Sequence, residues 1–109
     1  MTFISTHILN TTSGEPAVRV PVALMFREDA AQPWQILGRG LTDSKGRVQD
    51  FLPADFNPAS GVYCLHFDSK VFSRFFPEIS VQFIVLDPRQ HYHVPLLVSE
   101  FGYTTYRGA

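Results

Sequence analysis

The sequence predicts an all-β fold, a Greek-key antiparallel β-sandwich with one short α-helix, and three features point to it. Runs of strand character recur along the chain, the longest being Val18, Val20, Val22, Leu24 and Phe26 alternating with Arg19, Pro21, Ala23, Met25 and Arg27. Clusters of Gly, Pro, Asn, Asp and Ser separate these runs at short intervals. Only one stretch, Ser69–Phe76, has helical spacing. Seven or eight short strands with a single helix suit two sheets packed over one core.

The elements follow in order. Phe3 to Leu9 reads as a strand, and Asn10 to Pro16 as a loop by composition. Pro21 interrupts the long alternating run without a ladder N–H, so it is expected at an edge or a bulge. Trp34 to Leu41 is a strand broken by Gly38 and Gly40, and Ser44-Lys45-Gly46 turns into a brief strand at Arg47-Val48. Pro53, Pro58 and Gly61 mark a connecting loop. Val62 to Phe67 is a strand with Tyr63, Leu65 and Phe67 on one face. Asp68 or Ser69 caps the helix, Phe72, Phe75 and Phe76 form its apolar stripe, and Pro77 ends it. Ser80 to Leu86 is apolar on both faces, which predicts a central strand. Asp87-Pro88-Arg89-Gln90 is expected to form a hairpin turn into the strand His91 to Val98.

Length and composition narrow the function. With 109 residues the chain is expected to be a single domain spanning 1–109. Ten Phe is a heavy aromatic load for so small a body, so an oligomer that buries apolar surface is expected. The net charge of −1, without Lys or Arg runs, argues against nucleic-acid and membrane-surface partners. A single cysteine, Cys64, excludes an intrachain disulfide, and its strand-like surroundings suit a packing residue. The start of the chain lacks a basic region and a long apolar core, so a cytoplasmic protein is expected.

Chemistry concentrates near the end of the chain. His91 and His93 share one strand face, a geometry that zinc could use if a third and fourth ligand joined them. His7 lies on the first strand, Arg47 opens a short strand after Gly46, and Tyr106-Arg107 follows the last strand. His66 shares a face with Cys64 and reads as structural or as a surface residue.

The chain resembles the transthyretin-like family, and within it the 5-hydroxyisourate hydrolases, over essentially its whole length. The first anchor is His7-Ile8-Leu9-Asn10 with Gly14-Glu15-Pro16-Ala17 and Val20-Pro21-Val22. The second is Tyr92-His93-Val94-Pro95-Leu96-Leu97-Val98-Ser99, continuing through Phe101-Gly102-Tyr103-Thr104-Thr105, and the third is Tyr106-Arg107-Gly108. The hormone carriers of the family have lysine and threonine where His7 and His93 stand, and they lack the Tyr-Arg-Gly ending. The departures from the hydrolase pattern are Asn10 for aspartate, Glu100 for proline and Ala109 for the usual serine.

The resemblance implies opening of the six-membered ring of 5-hydroxyisourate to 2-oxo-4-hydroxy-4-carboxy-5-ureidoimidazoline, in urate degradation. It implies His7, Arg47, His93 and Tyr106 as catalytic residues, with Arg47, Tyr106 and His7 also binding substrate, and neither metal nor cofactor. One histidine would activate water while the other orients it or shuttles the proton. Arg47 offers a fork of donors for a planar anion and for developing oxyanion charge. His91 falls at the mouth of the site. A homotetramer, a dimer of dimers with the sites in the channel between dimers, is implied as well. The rival reading is a carrier of a small aromatic ligand such as thyroid hormone, whose pocket His7, His93 and Tyr106 would polarise.

Overall fold

Burial follows the alternation. In the computed structural model, which describes residues 3–109, Ile4, Thr6 and Ile8 face inward from one strand and Val22 and Leu24 from another, with Tyr63, Leu65 and Phe67 from a third. Among the described residues there are nine strands: β1 (Ile4–Asn10), β2 (Glu15–Pro16), β3 (Pro21–Arg27), β4 (Gln35–Leu41), β5 (Arg47–Val48), β6 (Gly61–Phe67), β7 (Ile79–Val85), β8 (Tyr92–Val98) and β9 (Tyr103–Thr105). One sheet runs β2-β1-β8-β9 with β5 also paired to β1, and the other runs β4-β3-β6-β7. The core lies between them. β1 and β8 pair in parallel and the remaining pairs are antiparallel. Met1 and Thr2, the first positions of the domain expected over 1–109, lie outside the described residues.

Leu24 is fully buried at the centre of this core. Leu24→Ala is therefore expected to lower unfolding free energy by about 2–5 kcal/mol, read from urea denaturation. A loss under about 1 kcal/mol would mean that the two sheets do not pack tightly there.

Five expectations change in the structure. The strand expected from Val18 begins only at Pro21, because Arg19 sits at φ 59 and bends the chain. Thr42 secures that bend: its Oγ1 accepts from the Val20 N–H and donates to the Ala17 carbonyl, both at 2.8 Å. Pro21 consequently lies in a central strand, tolerated as its first residue, and the β3–β4 bulge falls at Leu24/Met25 instead.

The expected α-helix closes after one 3-10 turn, Ser69–Val71, with Asp68 as its N-cap. Serine hydroxyls compete with helical hydrogen bonding here. Ser73 Oγ accepts from the Phe75 and Phe76 N–H groups and donates to the Glu100 carbonyl, while Ser69 Oγ donates to the Phe76 carbonyl. Phe72 and Phe76 still pack on the core, and Phe75 is exposed.

β7 is an edge strand, not a central one. Its second apolar face is open: Ile84 is 67% exposed, and Leu86 just beyond the strand is 84% exposed. Asp87–Gln90 turns as expected, but it carries the chain from one sheet to the other and joins no hairpin. β7 pairs with β6, whereas β8 lies between β1 and β9. That crossover puts the histidine-bearing strand beside the first strand of the chain.

Candidate active site

Strand periodicity sends alternate residues to opposite faces. With Ile4, Thr6 and Ile8 turned into the core, Ser5 and His7 turn outward from the same sheet. The parallel register sets Ser5 beside His93, and the antiparallel pairing with β5 sets His7 opposite Arg47. Paired residues in neighbouring strands point to the same face. Ser5, His7, Arg47 and His93 thus share one outer sheet face, although 86 positions separate Ser5 from His91 and more separate it from His93.

The turn before Arg47 is built to deliver it. Asp43 Oδ1 accepts from the N–H groups of Lys45 and Arg47, which lowers its pKa, and Asp43 N–H donates back to the Arg47 carbonyl. Gly46 takes φ +75, and its carbonyl accepts the Ile8 N–H at 2.8 Å. A Cβ on Gly46 would come within 2.6 Å of the Ile8 carbonyl oxygen, so both its conformation and its closeness to β1 call for glycine.

His93 is held on three sides. Its Nδ1 lies 2.8 Å from Ser5 Oγ, and the same oxygen lies 2.9 Å from His91 Nε2. Its carbonyl accepts the Gly108 N–H at 2.7 Å, which ties the tail across β8. A Cβ on Gly108 would stand 2.7 Å from His93 Cδ2, so the ring is pressed against bare backbone. With Nδ1 toward β1 and Cδ2 toward Gly108, the remaining nitrogen, Nε2, points away from the sheet. Burial, followed by the charges of His91, His7 and Arg47, lowers the His93 pKa below its ordinary value.

Gly108→Ala should push the His93 ring or detach the tail. Any turnover that uses the His93 ring is expected to fall about tenfold or more with little loss of global stability, since a displaced reacting group loses much of its effect. Unchanged turnover in this variant would show that the tail does not set the ring position.

A cavity of about 400 Å³ opens over this cluster, walled by Ser5, Arg47, Gln49, His91, His93 and Ala109. A separate cavity of about 300 Å³, walled chiefly by Phe3, Phe51, Leu52 and Phe56, contains no histidine or arginine. The structure brings together His93, Arg47 and His91, with His7 next to Arg47 on β1. Tyr106 stands apart: it is 52% exposed and lines a groove with Val81, Ile84 and Arg107. Arg107 stacks on Tyr92 and donates to Gln90. The departure at Ala109 is at the cavity wall itself.

Sequence reading had not singled out Ser5 or Gln49. Their signal was present, since each lies two residues from a selected one, Ser5 before His7 on β1 and Gln49 just past β5 after Arg47. His66 is on the other sheet, with Nδ1 3.0 Å from Ser80 Oγ and Nε2 3.4 Å from Glu78. Cys64 is buried, which raises its thiol pKa, in keeping with a packing role. Among the described residues no group of three or more His, Cys, Asp or Glu side chains is close enough to share a metal ion.

The HIUase/Transthyretin family model matches residues 4–108. The chain is 41% identical over 112 residues to a 5-hydroxyisourate hydrolase of Salmonella dublin, covering 97% of this chain and 80% of that one. Its fold resembles the Klebsiella pneumoniae 5-hydroxyisourate hydrolase with a TM-score of 0.80 and 29% identity over the full length of both chains. It also resembles transthyretin from Sparus aurata, with a TM-score of 0.86 and 27% identity over 99% of this chain and 97% of that one.

Proposed function

From the premise that the chain belongs to the HIUase/Transthyretin family, we propose that it is a hydrolase that opens the six-membered ring of 5-hydroxyisourate at an amide bond. The reading rests on one observation above all: a half-buried histidine, His93, facing a cavity that Arg47 also lines. A ring with its pKa lowered is neutral at physiological pH, the state a general base needs. His93 Nε2 takes a proton from water as the oxygen attacks the ring carbonyl carbon. Arg47 donates to the oxygen on which negative charge develops. The carbon–nitrogen bond then breaks, the nitrogen leaves with a proton, and the new carboxyl ionises. His7, beside Arg47, orients the water or passes the proton, and Tyr106, on the groove beside β7, reaches the substrate of a neighbouring subunit.

A carrier of apolar aromatic ligands would want an apolar pocket. The cavity here is instead walled by a hydroxyl, an amide, two imidazoles and a guanidinium. We also propose a homotetramer of paired dimers. Support comes from the open β7 edge with exposed Ile84 and from the apolar groove of about 250 Å³ where β7 faces Tyr92, Thr105 and Tyr106.

The decisive assay generates 5-hydroxyisourate in situ with urate oxidase and follows its decay by absorbance. Acceleration over the spontaneous reaction is expected, and its absence would remove the hydrolase reading.

The pH dependence has a defined sign. His93 works as a base only when neutral, and burial with the neighbouring positive charges opposes its protonation. Turnover is therefore expected to be lost only as pH falls through a midpoint below the ordinary 6.5 of the imidazole. An acid limb of kcat/KM, which reports the free protein, centred at or above 6.5 would exclude His93 as the base.

A further inference from the structure

Ser5 is only 5% exposed, yet it lies on the outer face of β1, covered by the two imidazoles of the His91-x-His93 pair. A hydroxyl has one proton to donate and lone pairs to accept with. Bonded to a ring nitrogen on each side, Ser5 Oγ donates to one imidazole while it accepts from the other. The two rings are thereby coupled: the tautomer of one sets that of the other. When Ser5 donates to His91 Nε2, His93 Nδ1–H donates to Ser5, and His93 Nε2 keeps its lone pair toward the cavity. That is the tautomer a general base requires.

We propose that Ser5 and His91 are positioning residues for the hydrolysis, holding His93 in its base-competent tautomer and relaying its proton to the exposed edge of the site. The proposal rests on the hydrolase reading. In the forward step, a bond forms between a water proton and His93 Nε2 as hydroxide adds to the carbonyl carbon. The His93 Nδ1–H bond breaks and its proton joins Ser5 Oγ. The original Oγ–H bond breaks as that proton joins His91 Nε2. Ser5 remains a neutral hydroxyl, His93 remains a neutral imidazole, and the positive charge resides on His91. Reversal of the same three transfers returns a proton to the leaving nitrogen.

The surroundings favour this direction. His93 is faced by His91 from its own strand, His7 from β1 and Arg47 from β5, all positive or able to become so. From the tail it is faced by Gly108 and Ala109, whose side chains do not titrate. Among the described residues the Ala109 carboxylate is the one negative group on the same cavity wall, able to pair with the charge that reaches His91 or with Arg47. A proton kept on His93 would sit against Arg47, whereas His91 is exposed and exchanges with solvent.

The test compares the parent with Ser5→Ala, Ser5→Thr and His91→Gln in the intact protein. Ser5→Thr keeps the hydroxyl, and His91→Gln keeps a hydrogen-bonding group that does not titrate. Ser5→Ala and His91→Gln are expected to lower kcat by about tenfold or more with KM within about twofold, and Ser5→Thr to restore most of the rate. The proton inventory of kcat in mixtures of light and heavy water adds a readout that a structural role would not move. It should be curved in the parent, where several protons move together, and linear in Ser5→Ala and His91→Gln. A linear inventory in the parent, or kcat within twofold of the parent in either Ser5→Ala or His91→Gln, overturns the relay. An inactive parent overturns the hydrolase reading itself, so the two failures are told apart.

Discussion

Replacement of His93 by alanine is expected to reduce kcat for 5-hydroxyisourate at least about a hundredfold, the usual cost of losing a general base. The fold should survive. The side chain projects outward from β8, and the neighbouring Tyr92, Val94 and Leu96 supply the core contacts of that strand. Thermal unfolding and oligomeric state should therefore stay near those of the parent. His7→Ala is expected to act on the same scale, through water orientation or proton passage. Near-normal turnover in either variant, measured with substrate generated in situ, would remove that residue from the mechanism.

Arg47→Ala should cost about a hundred- to a thousandfold in kcat/KM, the range for removing an oxyanion donor. The loss includes substrate binding, because a planar urate-like anion matches the guanidinium fork. Arg47→Lys distinguishes charge from geometry. Lysine keeps the positive charge and loses the fixed pair of donors, so only a small part of the rate should return. Full recovery with lysine would reduce the arginine to a point charge. The turn itself should not be disturbed, because its hydrogen bonds to Asp43 come from the Arg47 backbone.

Much of this was legible in the sequence, for identifiable reasons. Alternation in β3 and β6 marked which residues face the core, since a side-chain period of two leaves little choice once one face is apolar. Gly46 marked the turn that delivers Arg47. The Tyr-Arg-Gly tail was recognised as a signature, and the structure supplies its physical basis at Gly108, where only a hydrogen fits against the His93 ring. Other features were hidden because local pattern was overridden. Ser69 and Ser73 drew hydrogen bonds away from the helix that the phenylalanine spacing favoured. The doubly apolar β7 looked central, yet it is an edge whose outer face is open in the protomer.

The sequence by itself determined the all-β class, most strand positions, and the inward and outward faces. Those are consequences of short-range chemistry: alternation, turn residues and side-chain type. The choice of His7, Arg47 and His93 came from the family resemblance. Only the tertiary structure decided which strands become neighbours. The parallel pairing of β1 with β8 joins residues more than 80 positions apart, a contact that no local pattern encodes. That pairing slides Ser5 between His91 and His93 and sets His7 beside Arg47, turning scattered polar residues into one chemical site.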